Sequence, residues 1–364
     1  MNRSLLLSIC VCLCLAAAEA GAQAPPPSRP RDMVLLADGG NLTNVVVLSE
    51  TPSEVTVDTT GDGKADRTLN QNEVKAITYD REPTDYRQAV ALYGVSDYDK
   101  AMEGFRKASA APGRRWVKDY SAYYLAMCLA RKSAGDPTQR AGAIASFEAL
   151  LKDPGNRWRD DARYQLGQIY LAAGDKAKAQ TAFATLAASA HREEMKLTAS
   201  VGLSDILMAE GKPAEALKGY NRVVTQARGK FEDLYAAATV GKAEAHTALG
   251  EFDKAGTFLQ EILDTSKSRE LRAKAHLALG DCRYAQAAAE KEPDKVTPLV
   301  KEALNNYLWV VVVYSNQKAE FAKSLYQAAQ CWRELKEPAK ARELETELTS
   351  KFPTSAWARK LKGR

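Results

Sequence analysis

The chain has 364 residues, of which 45% are apolar and 27% are charged, and its formal net charge is +5. This balance is ordinary for a globular protein, and the length suits either two or more domains or one long repeat array. Because the positive charge is mild and no run of Lys or Arg stands out, neither nucleic acid nor an anionic membrane is predicted as the main partner.

The first two dozen residues have the features of a secretory signal peptide. Arg3 supplies a positive charge, residues 5–18 are almost entirely apolar, and small residues follow, with Ala20-Gly21-Ala22 as the cleavage site. The apolar stretch is too short for a stable membrane anchor, and no later stretch is long enough to span a bilayer. We therefore expect residues 1–22 to be removed and the chain to be exported, to the periplasm or outside the cell.

Three cysteines outside this segment, Cys128, Cys282 and Cys331, lie among apolar residues of predicted helices. An odd number of cysteines without close spacing argues against a disulfide framework or a zinc site. We expect all three to be buried as small apolar side chains.

A Pro-rich stretch, residues 23–31, is predicted to be a disordered spacer, and residues 32–81 differ from everything that follows. Five short apolar or alternating stretches are separated by turn signals such as Asp38-Gly39-Gly40 and Gly61-Asp62-Gly63. Their order resembles the compact SH3-like or Sm-like barrels that exported bacterial proteins carry before helical repeats. The resemblance implies a small antiparallel β domain.

One turn of this segment is similar to the calcium-binding loops of dockerin-like and EF-hand units. In those loops oxygen ligands occupy positions one, three and five and Gly occupies position six. Asp58, Thr60, Asp62 and Asp66 would supply the oxygen atoms here. Because Thr60 replaces a carboxylate and Leu69 stands where a bidentate Glu belongs, we favour a hairpin turn. A calcium-dependent binding module is kept as an alternative.

After these strands the apolar period changes from two to about 3.6, which indicates helices. In the clearest unit, small Gly167 is followed three residues later by Tyr170, then by Gly174 at a turn, and then by Ala179 and Phe183. The same offsets recur near Ala89 and Ala101, around Gly211, around Gly250, and at Ala329, Trp332 and Ala341. Recurrence at a fixed spacing indicates a repeat protein.

The repeats resemble the tetratricopeptide family over residues 82–353, as about seven helix pairs of which two carry insertions. This resemblance implies a right-handed α-solenoid in which neighbouring pairs stack to bury their apolar faces. Residues 354–364 are predicted to be a polar capping helix. A mainly α fold preceded by a small β domain is therefore expected.

Catalysis is not expected. The chain has three His residues, His191, His246 and His276, and none has the i, i+4 partner of a zinc-binding helix. No P-loop, Rossmann glycine pattern or G-x-S-x-G motif is present. We predict a protein without enzymatic activity and without a cofactor.

The tetratricopeptide resemblance implies that the residue after the small position on the first helix of each pair lines a concave groove. These residues are Gln168, Asp205, Glu244, Asp281 and Gln330. The nearby aromatic candidates are Tyr164, Tyr284 and Tyr326. Three successive carboxylates indicate a groove that binds an extended or helical segment carrying Lys or Arg. The alternative is a solvated helix face.

The run of four Val residues at 310–313, next to Trp309, is predicted to be buried against the following repeat, and would be an interface if it were exposed. Residues 351–358 resemble a phrase common in exported repeat proteins of envelope assembly complexes. The predicted function is a protein-binding scaffold, and the alternative is a structural homo-oligomer assembled through the β domain or the ends of the solenoid.

Overall fold

The computed structural model describes residues 29–135 and 137–362. It contains a small antiparallel sheet followed by helices, so the predicted fold class is confirmed. The predicted signal peptide and most of the Pro-rich spacer lie outside the described residues. Within the described part of the chain, no helix is long and apolar enough to cross a membrane.

The sheet has five strands in the spatial order β4-β3-β2-β1-β5, and every neighbouring pair is antiparallel. The strands are β1 Asp32–Leu36, β2 Asn41–Glu50, β3 Glu54–Asp58, β4 Arg67–Asn70 and β5 Val74–Thr78. Alternate residues point to one face, so Val34, Val45, Val47, Val55 and Val57 together form its buried core.

The rest of the described chain forms seven helix pairs and a final short helix. The helices are α1 Thr84–Gly94, α2 Tyr98–Ala110, α3 Arg115–Gly135, α4 Arg140–Lys152, α5 Arg159–Ala172, α6 Lys176–Ser189, α7 Glu193–Ala209, α8 Pro213–Ala227, α9 Glu232–Ala248, α10 Phe252–Thr265, α11 Arg269–Ala289, α12 Pro293–Val313, α13 Lys318–Glu334, α14 Pro338–Lys351 and α15 Ala356–Lys362. The helix α15 lies within the segment predicted as the cap.

Close contacts between a glycine on a first helix and a bulky residue on a second helix hold the array together, both within helix pairs and between neighbouring pairs. Gly167 and Gly202 both lie against Phe183, Gly241 lies against Tyr220, and Gly280 lies against Tyr307. Phe183 and Tyr307 are completely buried. The absence of a β-carbon at the glycine lets the helices approach closely, so packing explains the small-residue positions of the repeat.

The predicted insertion between Gly280 and Ala303 is accommodated by longer helices, because α11 and α12 each have 21 residues. The prediction that the valine run is buried is only partly right. Val310 is fully buried, whereas Trp309 is 46% exposed and Val312 is 74% exposed. The helical period turns part of any continuous apolar run towards solvent.

The array does not form an open groove, because its first helices return to meet one another. In the order α3, α5, α7, α9, α11 and α13, each helix contacts the next, and α13 also contacts α3. We call these six helices the inner ring. At the junction between its two ends, the Lys318 ammonium lies 5.5 Å from the centre of the Tyr98 ring.

The β unit is fixed to the first repeats by two buried carboxylates. Asp32, which is fully buried, accepts hydrogen bonds from both terminal nitrogens of Arg114 and from the amide of Val47 at 2.8 Å. Glu50 lies 2.7 Å from Arg157 and accepts the hydroxyl proton of Tyr120 at 2.9 Å. Buried charges paired in this way specify one docking orientation, because any other leaves a charge unpaired.

We expect Asp32→Asn to lower the free energy of unfolding by about 3–5 kcal/mol, because it leaves the Arg114 guanidinium without its counter-charge in a buried site. Chemical denaturation measures this loss. The double variant with Arg114→Met should lose less than the sum of the single variants. Glu103→Gln, which removes an exposed pair with Lys107, is the control and should change stability by less than about 1 kcal/mol. Equal losses in Asp32→Asn and Glu103→Gln would contradict this account of the docking.

We also expect Gly241→Ala to destabilise the fold by about 1–3 kcal/mol, because the added carbon would lie 2.5 Å from the Tyr220 ring. The control is Gly142→Ala in α4, where the added carbon would meet only Leu129 at 3.9 Å. The higher helix propensity of Ala should make this control neutral or more stable by up to about 1 kcal/mol. Thermal unfolding of both variants compares them, and an unchanged melting temperature in Gly241→Ala would show that the contact does not limit packing.

Candidate partner-binding site inside the helical ring

The predicted groove positions lie on successive helices of the inner ring. Gln168 is on α5, Asp205 on α7, Glu244 on α9, Asp281 on α11 and Gln330 on α13. The three carboxylates are close enough to interact, since Asp205 and Asp281 both raise the pKa of Glu244. The structure therefore brings together the acidic residues that the repeat spacing predicts.

Two of these carboxylates already have partners. Asp205 accepts a hydrogen bond from the Tyr220 hydroxyl at 2.6 Å. Asp281 accepts one from the Tyr307 hydroxyl at 2.8 Å and also pairs with the Lys323 ammonium at 2.6 Å. In both repeats the tyrosine is the bulky residue of the second helix, so these carboxylates contribute to the packing of their own helix pair.

Glu244 differs from Asp205 and Asp281. In its repeat, the second-helix position that holds a tyrosine in the other two repeats is occupied by Leu259, which has no hydroxyl group. Glu244 has no hydrogen-bond or ion-pair partner among the residues that the structure describes. Its side chain is exposed to the water inside the ring. It is a free carboxylate between two engaged ones.

The surroundings of Glu244 disfavour its negative charge. Although water reaches the side chain, protein surrounds it on the inside of the ring, and this loss of bulk solvent raises the pKa to about 7. Asp205 and Asp281 raise the pKa further, while Lys323 and Lys274 oppose the rise. Near neutral pH the Glu244 carboxylate is therefore poised to gain a proton or a cationic partner.

Cations that the sequence reasoning missed also face the ring interior. Lys274 pairs with Glu270 at 2.8 Å, and Lys323 pairs with Asp281. The signal was available, because Lys274 lies seven residues before Asp281 on the same helix, and residues two turns apart share one face. The interior is thus a mixed-charge surface rather than a purely acidic stripe.

The predicted aromatic residues have different positions. Tyr164 faces the ring interior, where its hydroxyl accepts a hydrogen bond from Gln168 at 3.2 Å. The Tyr284 hydroxyl contacts Glu334. Tyr326 is only 3% exposed, and its ring centre lies 5.3 Å from that of Trp357 in α15. In this conformation Tyr326 is therefore part of the packing under the final helix.

The loop proposed as a calcium alternative uses its oxygen atoms within the hairpin. Asp58 accepts hydrogen bonds from the amides of Gly61 and Gly63, and the Gly61 amide lowers the pKa of Asp58. Asp66 accepts the amide protons of Thr59 and Thr60 at 2.9 and 3.1 Å. In the described ranges, no group of three or more His, Cys, Asp or Glu residues is arranged to hold a metal ion. These contacts favour the interpretation of the loop as a turn.

The three cysteines and His276 are carried by inner-ring helices and have packing roles. Cys128, Cys282 and Cys331 are buried free thiols, as the sequence predicts, and burial raises the pKa of Cys128 to about 12. The His276 ring accepts or donates one hydrogen bond with Asn306 at 3.1 Å and stacks on Trp309. Burial therefore disfavours the thiolate form of Cys128, and the contacts with Asn306 and Trp309 hold the His276 ring in place.

Seven stacked helix pairs with a polar interior define an α-solenoid repeat protein. Two overlapping matches to the tetratricopeptide repeat cover residues 164–231 and 204–270, and a further match covers residues 323–355. The chain thus contains tetratricopeptide repeats in these regions, as its sequence spacing predicts. This fold generally serves as a non-enzymatic scaffold for protein interactions. No curated protein matches the chain.

Solved structures with the same kind of fold share little sequence with the chain. A Rap protein complexed with Competence and Sporulation Factor has a TM-score of 0.54 and 11% identity, over 76% of this chain and 79% of that one. A tetratricopeptide repeat protein from Parabacteroides merdae has a TM-score of 0.47 and 13% identity, over 73% and 91% of the two chains. PilW, a type IV pilus biogenesis factor, has a TM-score of 0.42 and 19% identity, over 67% and 98%.

We predict that Glu244→Gln stabilises the protein, and that the gain grows as pH rises. Below pH 4.5 the carboxyl group is protonated in both folded and unfolded chains, so the variant gains nothing. Between pH 4.5 and about 7 only the unfolded chain ionises, and the wild type loses stability relative to the variant. Because water screens the charge, we expect a difference of only a few degrees in melting temperature at pH 8.

The control for this measurement is Glu215→Gln, which removes an exposed carboxylate on the outer helix α8. Its melting temperature should follow that of the wild type at every pH. If the difference in melting temperature between Glu244→Gln and the wild type is the same at pH 4.5 and pH 8, the ring interior does not disfavour the charge of Glu244.

Proposed function

We propose that the chain is an exported, non-enzymatic scaffold that binds a basic segment of another protein inside its inner ring. The observation that carries the proposal is the free carboxylate of Glu244. It lies on the surface that tetratricopeptide repeats commonly offer to partners, between the carboxylates of Asp205 and Asp281. Export rests on the signal-like sequence of residues 1–22.

A Lys or Arg side chain of a partner would relieve the unfavourable charge at Glu244. The incoming cation would form a charge-assisted hydrogen bond with the only one of the three carboxylates that has none. The negative charges of Asp205 and Asp281 would strengthen the attraction for the cation, while both carboxylates keep their hydrogen bonds from the tyrosine hydroxyls. The free energy that the folded protein loses by holding this carboxylate unpaired is thus recovered when the partner binds.

Affinity capture of the mature chain, residues 23–364, from its native envelope fraction tests the proposal, with Glu244→Gln and Glu215→Gln beside it. We expect a partner that Glu215→Gln retains and that Glu244→Gln binds at least about tenfold more weakly, the effect of losing one charge-assisted hydrogen bond. Wild-type affinity should rise between pH 6 and pH 8, because binding needs the ionised carboxylate and the pKa of Glu244 is about 7.

Glu244→Gln is a cleaner test than neutralising all three carboxylates. Substitution of Asp205 or Asp281 would also remove the hydrogen bond of Tyr220 or Tyr307 and disturb the helix pair. A partner retained by Glu244→Gln with unchanged affinity would contradict the proposed site. Recovery of only the chain itself would favour the structural homo-oligomer.

A further inference from the structure

We infer that the inner ring admits only an extended, unfolded tail with a free end, which enters along the ring axis. The inference rests on the proposed function and names the class of partner segment that the site accepts. It is carried by the closure of the ring, which the chain's repeat spacing alone does not indicate.

The first step is the width of the ring. Six helices arranged in a circle place the axis of each helix as far from the centre as it is from its neighbours, and packed helices lie about 8–10 Å apart. Each helix with its side chains has a radius of about 5–6 Å. The space at the centre is therefore roughly 10 Å wide or less before inward side chains are counted.

The second step is that inward side chains narrow this space further. Helices α5 and α11 stand opposite each other in the ring, yet Lys274 on α11 acts on Tyr164 on α5. Burial raises the pKa of Tyr164, and the charge of Lys274 partly offsets that rise. Burial raises the pKa of Asp205 on α7 to about 6, and the Tyr220 hydroxyl and the charge of Lys274 partly offset that rise. A central space of roughly 10 Å or less, into which these side chains also project, is too narrow for a helix about 10–12 Å in diameter.

The third step is that the two ends of the ring touch, since α13 contacts α3. Burial at the junction raises the pKa of Glu320 in the first turn of α13, and the charge of Arg131 near the end of α3 partly offsets that rise. The Lys318 ammonium lies over the Tyr98 ring nearby, and Trp357 of α15 packs on Tyr326 of α13. A cleft of about 750 Å³ remains between the two ends, lined by these elements. A segment tethered at both ends to folded domains cannot pass a closed junction.

The length of a suitable tail follows from the helices. Inner helices of 14–21 residues make the ring about 20–30 Å deep, at about 1.5 Å per residue. An extended chain covers about 3.3 Å per residue, so about six to nine residues cross the ring. A tail of about sixteen residues therefore reaches Glu244 from either end with residues to spare.

The test uses the mature chain and one sequence of about sixteen Gly, Ser and Lys residues in three forms. The first form is fused to a folded carrier with its other end free, the second joins two folded carriers, and the third has the same Lys count in an Ala-rich helix. We expect the free tail to bind and to lose affinity at least about tenfold in Glu244→Gln but not in Glu215→Gln. The doubly tethered and helical forms should bind at least about tenfold more weakly than the free tail.

The outcomes separate the two proposals. A free tail that does not bind, or that binds Glu244→Gln equally well, overturns the proposed function and this inference with it. A free tail that needs Glu244, together with a doubly tethered form of equal affinity, overturns only this inference and means that the α3–α13 junction opens. Equal binding of the helical form would likewise overturn it, by showing a wider opening.

Discussion

The contact between a small residue on one helix and a ring on the next determines the shape of the whole array. Gly280 against Tyr307 brings the two helices of one pair close together, and Gly241 against Tyr220 does the same for helices of neighbouring pairs, so the crossing angles within and between pairs have little freedom. Since the contact recurs from pair to pair, the angle between successive pairs recurs as well, and six first helices complete one turn. The closed ring is the sum of these local contacts.

The same aromatic position also decides the chemistry of the interior. Where it is Tyr220 or Tyr307, the buried ring presents its hydroxyl to the carboxylate on the first helix. Where it is Leu259, the carboxylate of Glu244 remains without a donor. The carboxylates occupy the same position of the first helix in each repeat. Whether such a carboxylate takes part in packing or stays free thus depends on whether the second helix carries a tyrosine or a leucine.

Much of this could be predicted from the sequence, because the repeat spacing and the strand alternation are local signals. All five strands and the helix pairs follow from periodicity, and the positions of Asp205, Glu244 and Asp281 follow from the repeat register. Ring closure could not be predicted, since small angles between pairs accumulate into contacts between residues more than 180 positions apart, such as Tyr98 and Lys318. The burial of Tyr326 under Trp357 depends on how the last helix docks, which no repeat pattern encodes.

Stability favours buried charges that are paired, whereas the proposed binding needs a charge that is unpaired, and this fold contains both kinds. Asp32 and Glu50 are buried with cationic partners, so they hold the β unit in one orientation on the first repeats. Glu244 is left without a partner on the inside of the ring, and the raised pKa of its carboxyl group lowers stability at neutral pH. A free charge in a flexible array would be neutralised by a small rearrangement of nearby lysines. In a closed ring whose pairs are fixed by glycine–aromatic contacts, Lys274 and Lys323 remain committed to Glu270 and Asp281, and the carboxylate stays available. The rigidity of the packing is therefore what maintains the unpaired charge on which the proposed binding depends.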